Sequence, residues 1–276
     1  MKKKMSVLDF QKFKDEGRKF TYVTAYDYTT ASIVNDSECE VILVGDSLGM
    51  VMLGYKSTES VTMEDMIHHI RPVVKGAPNC FVIGDMPFGS YNISTEQAVA
   101  NATRLVKETN CDCVKLEGGV TMADRVEAIV RGGISVMGHI GLTPQTSSQL
   151  GGFKVQGATP EGARKIVEDA AALEKAGAFS IVLECVPNSV GKAVSEAVKI
   201  PILGIGAGPH VACQVLVTQD LLGMYGDFKP KFVKHFAQIR TAMVEGLNKF
   251  HGETLSGEFP SKEYCFNQEV ILDKLY

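Results

Sequence analysis

The stretch Val41–Met50, VILVGDSLGM, decides how the rest of the chain is read. Four apolar residues run into Gly45, and an acid, Asp46, follows at the edge of a turn. Three later stretches repeat the design: FVIGDM places Asp85, VKLEGG places Glu117 and IVLEC places Glu184. Short runs rich in Val and Ile and bounded by Gly have the character of strands buried on both faces, as in parallel sheets covered by helices. Acids at the far ends of such strands converge. In a closed parallel barrel the loops after the strands build the site at one rim, so carboxylates arriving there from separate strands suggest a metal and a proton-transfer base.

Working outward, strands are expected at 20–27, 40–46, 80–86, 113–118, 134–141, 180–186 and 201–208, with the eighth at either 215–217 or 221–224. Residues 1–19 read as a helix lying outside the barrel, with Val7, Phe10 and Phe13 as its apolar positions. Thr62 with Asp65, and Ser94 with Gln97, have the spacing of capping boxes; Thr121 is expected to cap the next helix, and Thr159-Pro160 opens another. After strand two comes a glycine-rich loop, and after strand five comes LTPQTSSQLGGFKVQGATP, a stretch without period that reads as a lid or binding loop. One long helix from Lys231 to about Phe250 is expected to close the barrel, and the tail 251–276 to pack on the outside or on a neighbour. Strand–helix alternation at roughly 30-residue spacing argues for one (β/α)8 TIM barrel over 1–276, with the extra N-terminal helix. No GxGxxG follows the first strand, and GIGAG at 204–208 either binds an anion through backbone amides or permits close packing.

A chain of 276 residues with 28 basic and 32 acidic side chains carries a net charge of −4 and offers nothing that attracts nucleic acid or an anionic membrane. No segment approaches the ~20 apolar residues that a membrane helix needs. Seven cysteines without a CxxC pair fall mostly in apolar runs, which favours free thiols in a reducing cytoplasm.

Side chains alternate along a strand, so Cys113, Lys115 and Glu117 share one face while Val114 and Leu116 share the other. The apolar pair must face the helices. Lys115 and Glu117 are then inside, where a charge needs a partner or a ligand; a plain structural ion pair is the competing reading. By the same count Ile42, Val44 and Asp46 share a face, as do Phe81, Ile83 and Asp85. Carboxylates on strands about 4.8 Å apart suit one hard cation such as Mg²⁺ keeping several waters, although a lone strand-end Asp also serves as a helix cap. Glu184, between Leu183 and Cys185, has the sheltered setting that raises proton affinity and suits a general base; a pairing with a neighbouring-strand Lys is equally open. His139 reads as a supporting residue, and His68-His69 as surface or packing residues.

Together TAYDYTTA, VGDSLGM, GAPNC, DMPFGSY, VKLEGG, GHIGLTPQ, GGFKVQG, LECVP, GIGAG and QVLVTQDLLG resemble the ketopantoate hydroxymethyltransferase family, in that family's order and over about residues 20–225. The resemblance implies a (β/α)8 barrel that transfers a one-carbon unit from 5,10-methylenetetrahydrofolate to 3-methyl-2-oxobutanoate on the way to pantothenate and coenzyme A. It also implies Mg²⁺ and a homo-oligomer, typically a decamer. By motif position Asp46, Asp85 and Glu117 hold the metal, Glu117 through water; Asp46, Ser47, Asp85 and Lys115 hold the oxo acid, and Glu184 is the base. The chain departs from the pattern at Ala212-Cys213, where an Asp-Gly is usual, and at Lys56. Two other readings compete: a folate-independent, metal-dependent aldolase or lyase of 2-oxo acids, and a catalytically silent ligand-binding barrel.

Overall fold

Strands Phe20–Thr24 (β1), Val41–Val44 (β2), Phe81–Asp85 (β3), Cys113–Glu117 (β4), Val136–Gly141 (β5), Ser180–Glu184 (β6), Ile202–Ile205 (β7) and Cys213–Leu216 (β8) form a closed parallel barrel in sequence order. The computed structural model describes residues 2–225 and 229–268. Closure comes from β8 pairing with β1, Cys213 beside Phe20 and Val215 beside Tyr22. Between and around the strands run Val7–Asp15 (α1), Tyr28–Asp36 (α2), Leu48–Val51 (α3), Met63–Gly76 (α4), Thr95–Thr109 (α5), Ala123–Arg131 (α6), Pro160–Lys175 (α7), Asn188–Ala197 (α8), Thr218–Leu221 (α9) and Ile239–Ser256 (α10). The described residues fall into two compact units, one within Met1–Thr218 and Lys229–Val233, the other within Gln219–Phe228 and Lys234–Tyr276. The whole barrel belongs to the first.

Helix α1 is part of the core and does not lie outside it. Phe10 is fully buried and meets Phe20, Phe81 and Phe179 edge-on, with ring centroids 5.2, 5.0 and 5.2 Å away. Three such pairs at about 1 kcal/mol each, added to the burial of the ring, make α1 a plug under the N-terminal end of the strands. Sequence spacing showed which residues of α1 were apolar; it could not show that the surface receiving them was the barrel floor.

Side-chain caps set several of the helix starts. Thr62 and Asp65 cap one another at α4, Ser94 Oγ accepts from the Gln97 N–H at α5, and Thr159 Oγ1 accepts from the Gly162 N–H at α7. Thr121 does not cap α6. Residues 120–122 form a 3₁₀ turn first, and the Val120 N–H is satisfied from another helix, by Asp169 Oδ1 at 2.8 Å. The loop after β2 also holds the short helix α3. Of the two options for the last strand, 213–216 is the strand and 218–221 turns helical, with the Thr218 N–H donating to Thr24 Oγ1 at 3.0 Å. Helix α10 begins at Ile239 and runs past Phe250 because its stop is Gly257, in the left-handed conformation at φ 77°. Of the expected tail, 251–256 is therefore helix, and 269–276 lies outside the described residues.

All seven cysteines are free thiols, and no helix among the described residues is long and apolar enough to cross a membrane. GIGAG is a packing device here. A side chain at Gly206 or Gly208, both at positive φ, would meet the Phe232 ring or Asn188 Oδ1 at 2.7 and 2.5 Å. Ala212 gives its N–H to Ile202 O at 2.8 Å as β8 begins, so the departure at Ala212-Cys213 is absorbed on the strand and leaves the acids at the other end in place. His69 packs, with Nδ1 2.7 Å from Tyr26 O, and His68 is exposed beside it.

Candidate active site

Register sets the heights of the charged side chains at the C-terminal rim. Asp85 lies opposite Lys115, Glu117 opposite His139 and Glu184 opposite Gly141. Along β4 the alternation holds as read, with Cys113 in the central cluster and Lys115 and Glu117 above it. Strand β2 departs from the expected parity. Val41 and Leu43 belong to the inner cluster, so Ile42 and Val44 face outward. Asp46 stands two residues beyond the strand end and arrives by a turn, which is why alternation does not govern it.

Glu184 owes its placement to the backbone around it. Gly141 is at φ 89°, and a Cβ there would stand 2.3 Å from Glu184 O, so only glycine lets β5 pass this close. Cys185, immediately after the acid, is held at φ 50°, a conformation that costs a β-carbon residue of order 1–3 kcal/mol. Its N–H donates to Ile205 O at 2.8 Å and its carbonyl accepts from the Gln156 N–H at 2.9 Å, which fixes the reversal from both sides.

The side chains form one buried network. Lys115 Nζ is 2.9 Å from Asp85 Oδ1 and 3.9 Å from Glu117 Oε1, and the Asp46 N–H donates to Asp85 Oδ2 at 3.2 Å. His139 bridges the two halves of the rim, with Nδ1 3.4 Å from Glu117 Oε1 and Nε2 3.1 Å from Glu184 Oε2. The neighbouring-strand partner of Glu184 is thus His139 and not a lysine. Glu184 is also less sheltered than expected, its side chain 14 % exposed against 2 % for Glu117. Ser47 Oγ shares a hydrogen bond of 2.8 Å with the Tyr26 hydroxyl at the edge of this group.

Sequence reasoning missed Gln145 and Tyr91. Both sit inside motifs quoted above, GHIGLTPQ and DMPFGSY, but neither residue type signals chemistry alone. Gln145 Nε2 donates to Asp46 Oδ2 at 2.8 Å and to Met86 O at 2.9 Å, and its backbone N–H donates to Glu117 Oε2 at 3.0 Å. The aperiodic stretch after β5 therefore starts as a buried part of the site, while Phe153 and Val155 farther along are exposed.

Electrostatics follow from burial and from the excess of acids. Burial, then the charges of Asp85 and Glu117, push Asp46 well above the usual carboxylate range, and burial raises Asp85 despite Lys115. Burial would raise Glu117 too, but His139, Lys115 and the Gln145 N–H hold it below its ordinary value. Burial and Lys115 press the His139 imidazole downward; contacts with Glu117 and Glu184 outweigh them and bring it up to about 9. Lys115 is held in its charged form in the same way, burial opposing and Asp85, Glu117 and Asp46 prevailing.

A divalent cation fits this arrangement. Four carboxyl groups, Asp46, Asp85, Glu117 and Glu184, stand against two cationic side chains, Lys115 and His139, and the crowding that raises Asp46 and Asp85 is what a divalent cation would relieve. Buried Asp85 Oδ1 makes no hydrogen bond and meets only the Lys115 ammonium. The donors are hard oxygens, as Mg²⁺ requires. Among the described residues no three His, Cys, Asp or Glu side chains form a ready ligand set, and both oxygens of Glu117 are engaged by protein groups. Asp46 and Asp85 are therefore the residues that could hold such a cation directly, with waters filling the remaining positions.

His139 makes one pH dependence testable. A histidine whose folded pKa, about 9, lies above its unfolded value of 6.5 contributes stability that is fully present below 6.5 and lost as the pH rises through 9. Between those limits wild-type protein is expected to lose up to about 3 kcal/mol more than His139→Gln. Urea unfolding at pH 6 and pH 9.5 checks this; parallel losses in the two proteins would remove the imidazolium from the site.

In solved structures the fold is similar to phosphonopyruvate hydrolase crystallised with oxalate and Mg²⁺, at TM-score 0.61 and 13% identity over 94% of this chain and 93% of that one. It is also similar to 2,3-dimethylmalate lyase of the PEP mutase/isocitrate lyase superfamily, at TM-score 0.58 and 14% identity over 95% and 92%. These likenesses concern the fold alone. In sequence the chain is 54% identical to 3-methyl-2-oxobutanoate hydroxymethyltransferase of Heliobacterium modesticaldum over 100% of both chains. It is 54% identical to the Clostridium novyi protein of that name, over 99% of this chain and 100% of the other. The model of ketopantoate hydroxymethyltransferase matches residues 4–262. By that match and by end-to-end relatives at half identity, this chain belongs to the ketopantoate hydroxymethyltransferase family.

Proposed function

We propose that the chain transfers a hydroxymethyl group from 5,10-methylenetetrahydrofolate to 3-methyl-2-oxobutanoate, giving 2-dehydropantoate in pantothenate biosynthesis. The balance consumes one water and releases tetrahydrofolate. One observation carries the reading: Asp46, Asp85, Lys115 and Glu117 meet in a single buried cluster, and His139 links that cluster to Glu184.

Asp46 and Asp85 would hold Mg²⁺, and Glu117 would join through water. A divalent cation there stabilises negative charge on the keto oxygen of a 2-oxo acid, which acidifies the neighbouring carbon. Lys115, aided by Ser47, offsets the substrate carboxylate. Glu184 removes the C3 proton. Its partner His139, on the adjacent strand, keeps the carboxylate aimed across the barrel mouth. The resulting enolate then bonds to the methylene carbon of the folate, after which water replaces the folate nitrogen on that carbon and tetrahydrofolate leaves with the proton.

The free thiols suit a cytoplasmic enzyme. The assembly is a homo-oligomer, taken as a decamer, and α10 offers contact surface: none of its residues is buried, and Met243, Val244, Leu247, Phe250 and Leu255 are exposed. Light scattering should then report about ten times the 29.9 kDa chain.

The deciding assay mixes the oxo acid, methylenetetrahydrofolate and Mg²⁺ and follows 2-dehydropantoate together with tetrahydrofolate. Equal amounts of both are expected. Product formed equally fast when free formaldehyde replaces methylenetetrahydrofolate would favour a folate-independent aldolase instead.

A further inference from the structure

None of the roles above uses Gln145, yet it is 1 % exposed and lies among the acids. A neutral amide in such a place contributes direction, not charge. Its orientation is determined by the groups around it. Tyr91 OH accepts the Glu117 N–H at 3.2 Å and gives its single proton to Gln145 Oε1 at 2.5 Å. The amide must then turn its NH₂ toward Asp46 Oδ2 and Met86 O, as found. Every donor and acceptor of this relay is assigned with no flip left open.

We propose that Gln145 is a positioning residue for the divalent cation, fixing the carboxylates of Asp46 and Glu117, with Tyr91 setting the sense of its amide. The side chain engages Asp46 Oδ2, which leaves coordination to Oδ1; the backbone N–H holds Glu117 Oε2, which keeps that acid turned from the metal and toward His139. One residue thereby orients acids from the β2 turn and from β4 while anchoring the stretch that follows β5. Outer partners of this kind commonly govern metal affinity by about 10–100-fold when removed.

The proposal rests on the metal reading above, and the experiment separates the two. Binding of Mn²⁺ to the full-length protein is followed by loss of the free-ion EPR signal, with no substrate and no turnover. Gln145→Met, which preserves length and volume, is expected to bind Mn²⁺ about 10–100-fold more weakly than wild type. Tyr91→Phe should weaken binding severalfold, and the double variant should bind no more weakly than Gln145→Met alone, because the hydroxyl acts through the amide. A folded Gln145→Met with wild-type Mn²⁺ affinity overturns the proposal, as do additive effects in the double variant. Should Gln145→Met fail to fold, wild-type affinity in Tyr91→Phe overturns it equally. Wild-type protein that binds no Mn²⁺ removes the metal reading itself.

Discussion

Glu184→Gln is expected to slow exchange of the C3 proton of 3-methyl-2-oxobutanoate, in D₂O with Mg²⁺ and without folate, by about 10²–10⁴-fold. The substitution keeps the length of the side chain and an oxygen to face His139 Nε2, which stands 3.1 Å from the wild-type carboxylate. What it removes is the basic oxygen. The Asp46, Asp85 and Lys115 cluster is untouched, so oxo acid should bind within a few-fold of wild type, and the loss should fall on the rate of exchange. NMR of the C3 position gives that rate, and a binding isotherm gives the affinity. Exchange persisting at the wild-type rate would place the base elsewhere.

The legible part of this molecule is the part governed by period. Buried strands declare themselves by continuous Val and Ile, and Lys115 and Glu117 point inward because Val114 and Leu116 must point outward. Period fails where the chain turns. Asp46 reaches the cluster from a turn beyond β2, whose inner residues are Val41 and Leu43, the opposite parity from the one read along the sequence. Gln145 and Tyr91 were hidden for a related reason. A glutamine or tyrosine in an aperiodic loop gives no sign of its partners until the loop's path is known, and the hydrogen bond between these two joins residues 54 apart. The plug formed by Phe10 was visible as an apolar position and invisible as a location. Cys185 is the reverse case. Nothing in LECVP announces a left-handed residue, yet that strained turn directs the acid beside it.

Replacing Lys115 with Met is expected to cost about 3–5 kcal/mol of folding stability at neutral pH, the usual penalty for removing one member of a buried charge cluster. The Lys115 side chain is 3 % exposed, and its ammonium lies 2.9 Å from Asp85. Without it Asp46, Asp85 and Glu117 face one another with only His139 to offset them. The pH dependence follows from the direction in which these acids are already shifted. Asp46 and Asp85 titrate above their ordinary value of 3.8 in the folded protein, so each contributes stability that is present below 3.8 and lost as the pH rises through the folded value. Loss of Lys115 raises those folded values further. The gap between variant and wild type should therefore be widest at pH 7.5 and narrow toward pH 5, where the acids take up protons. Added Mg²⁺ should close part of the gap at pH 7.5, because a divalent cation supplies the charge that the lysine no longer does, and the metal should bind the variant at least as tightly as wild type. Oxo acid should fare the opposite way, losing about 10–100-fold in affinity with its charge-assisted contact. Urea unfolding at the two pH values, with and without Mg²⁺, and an isotherm for the oxo acid read all of these. Equal stability of the two proteins at pH 7.5 would show that Lys115 is not what balances the buried acids.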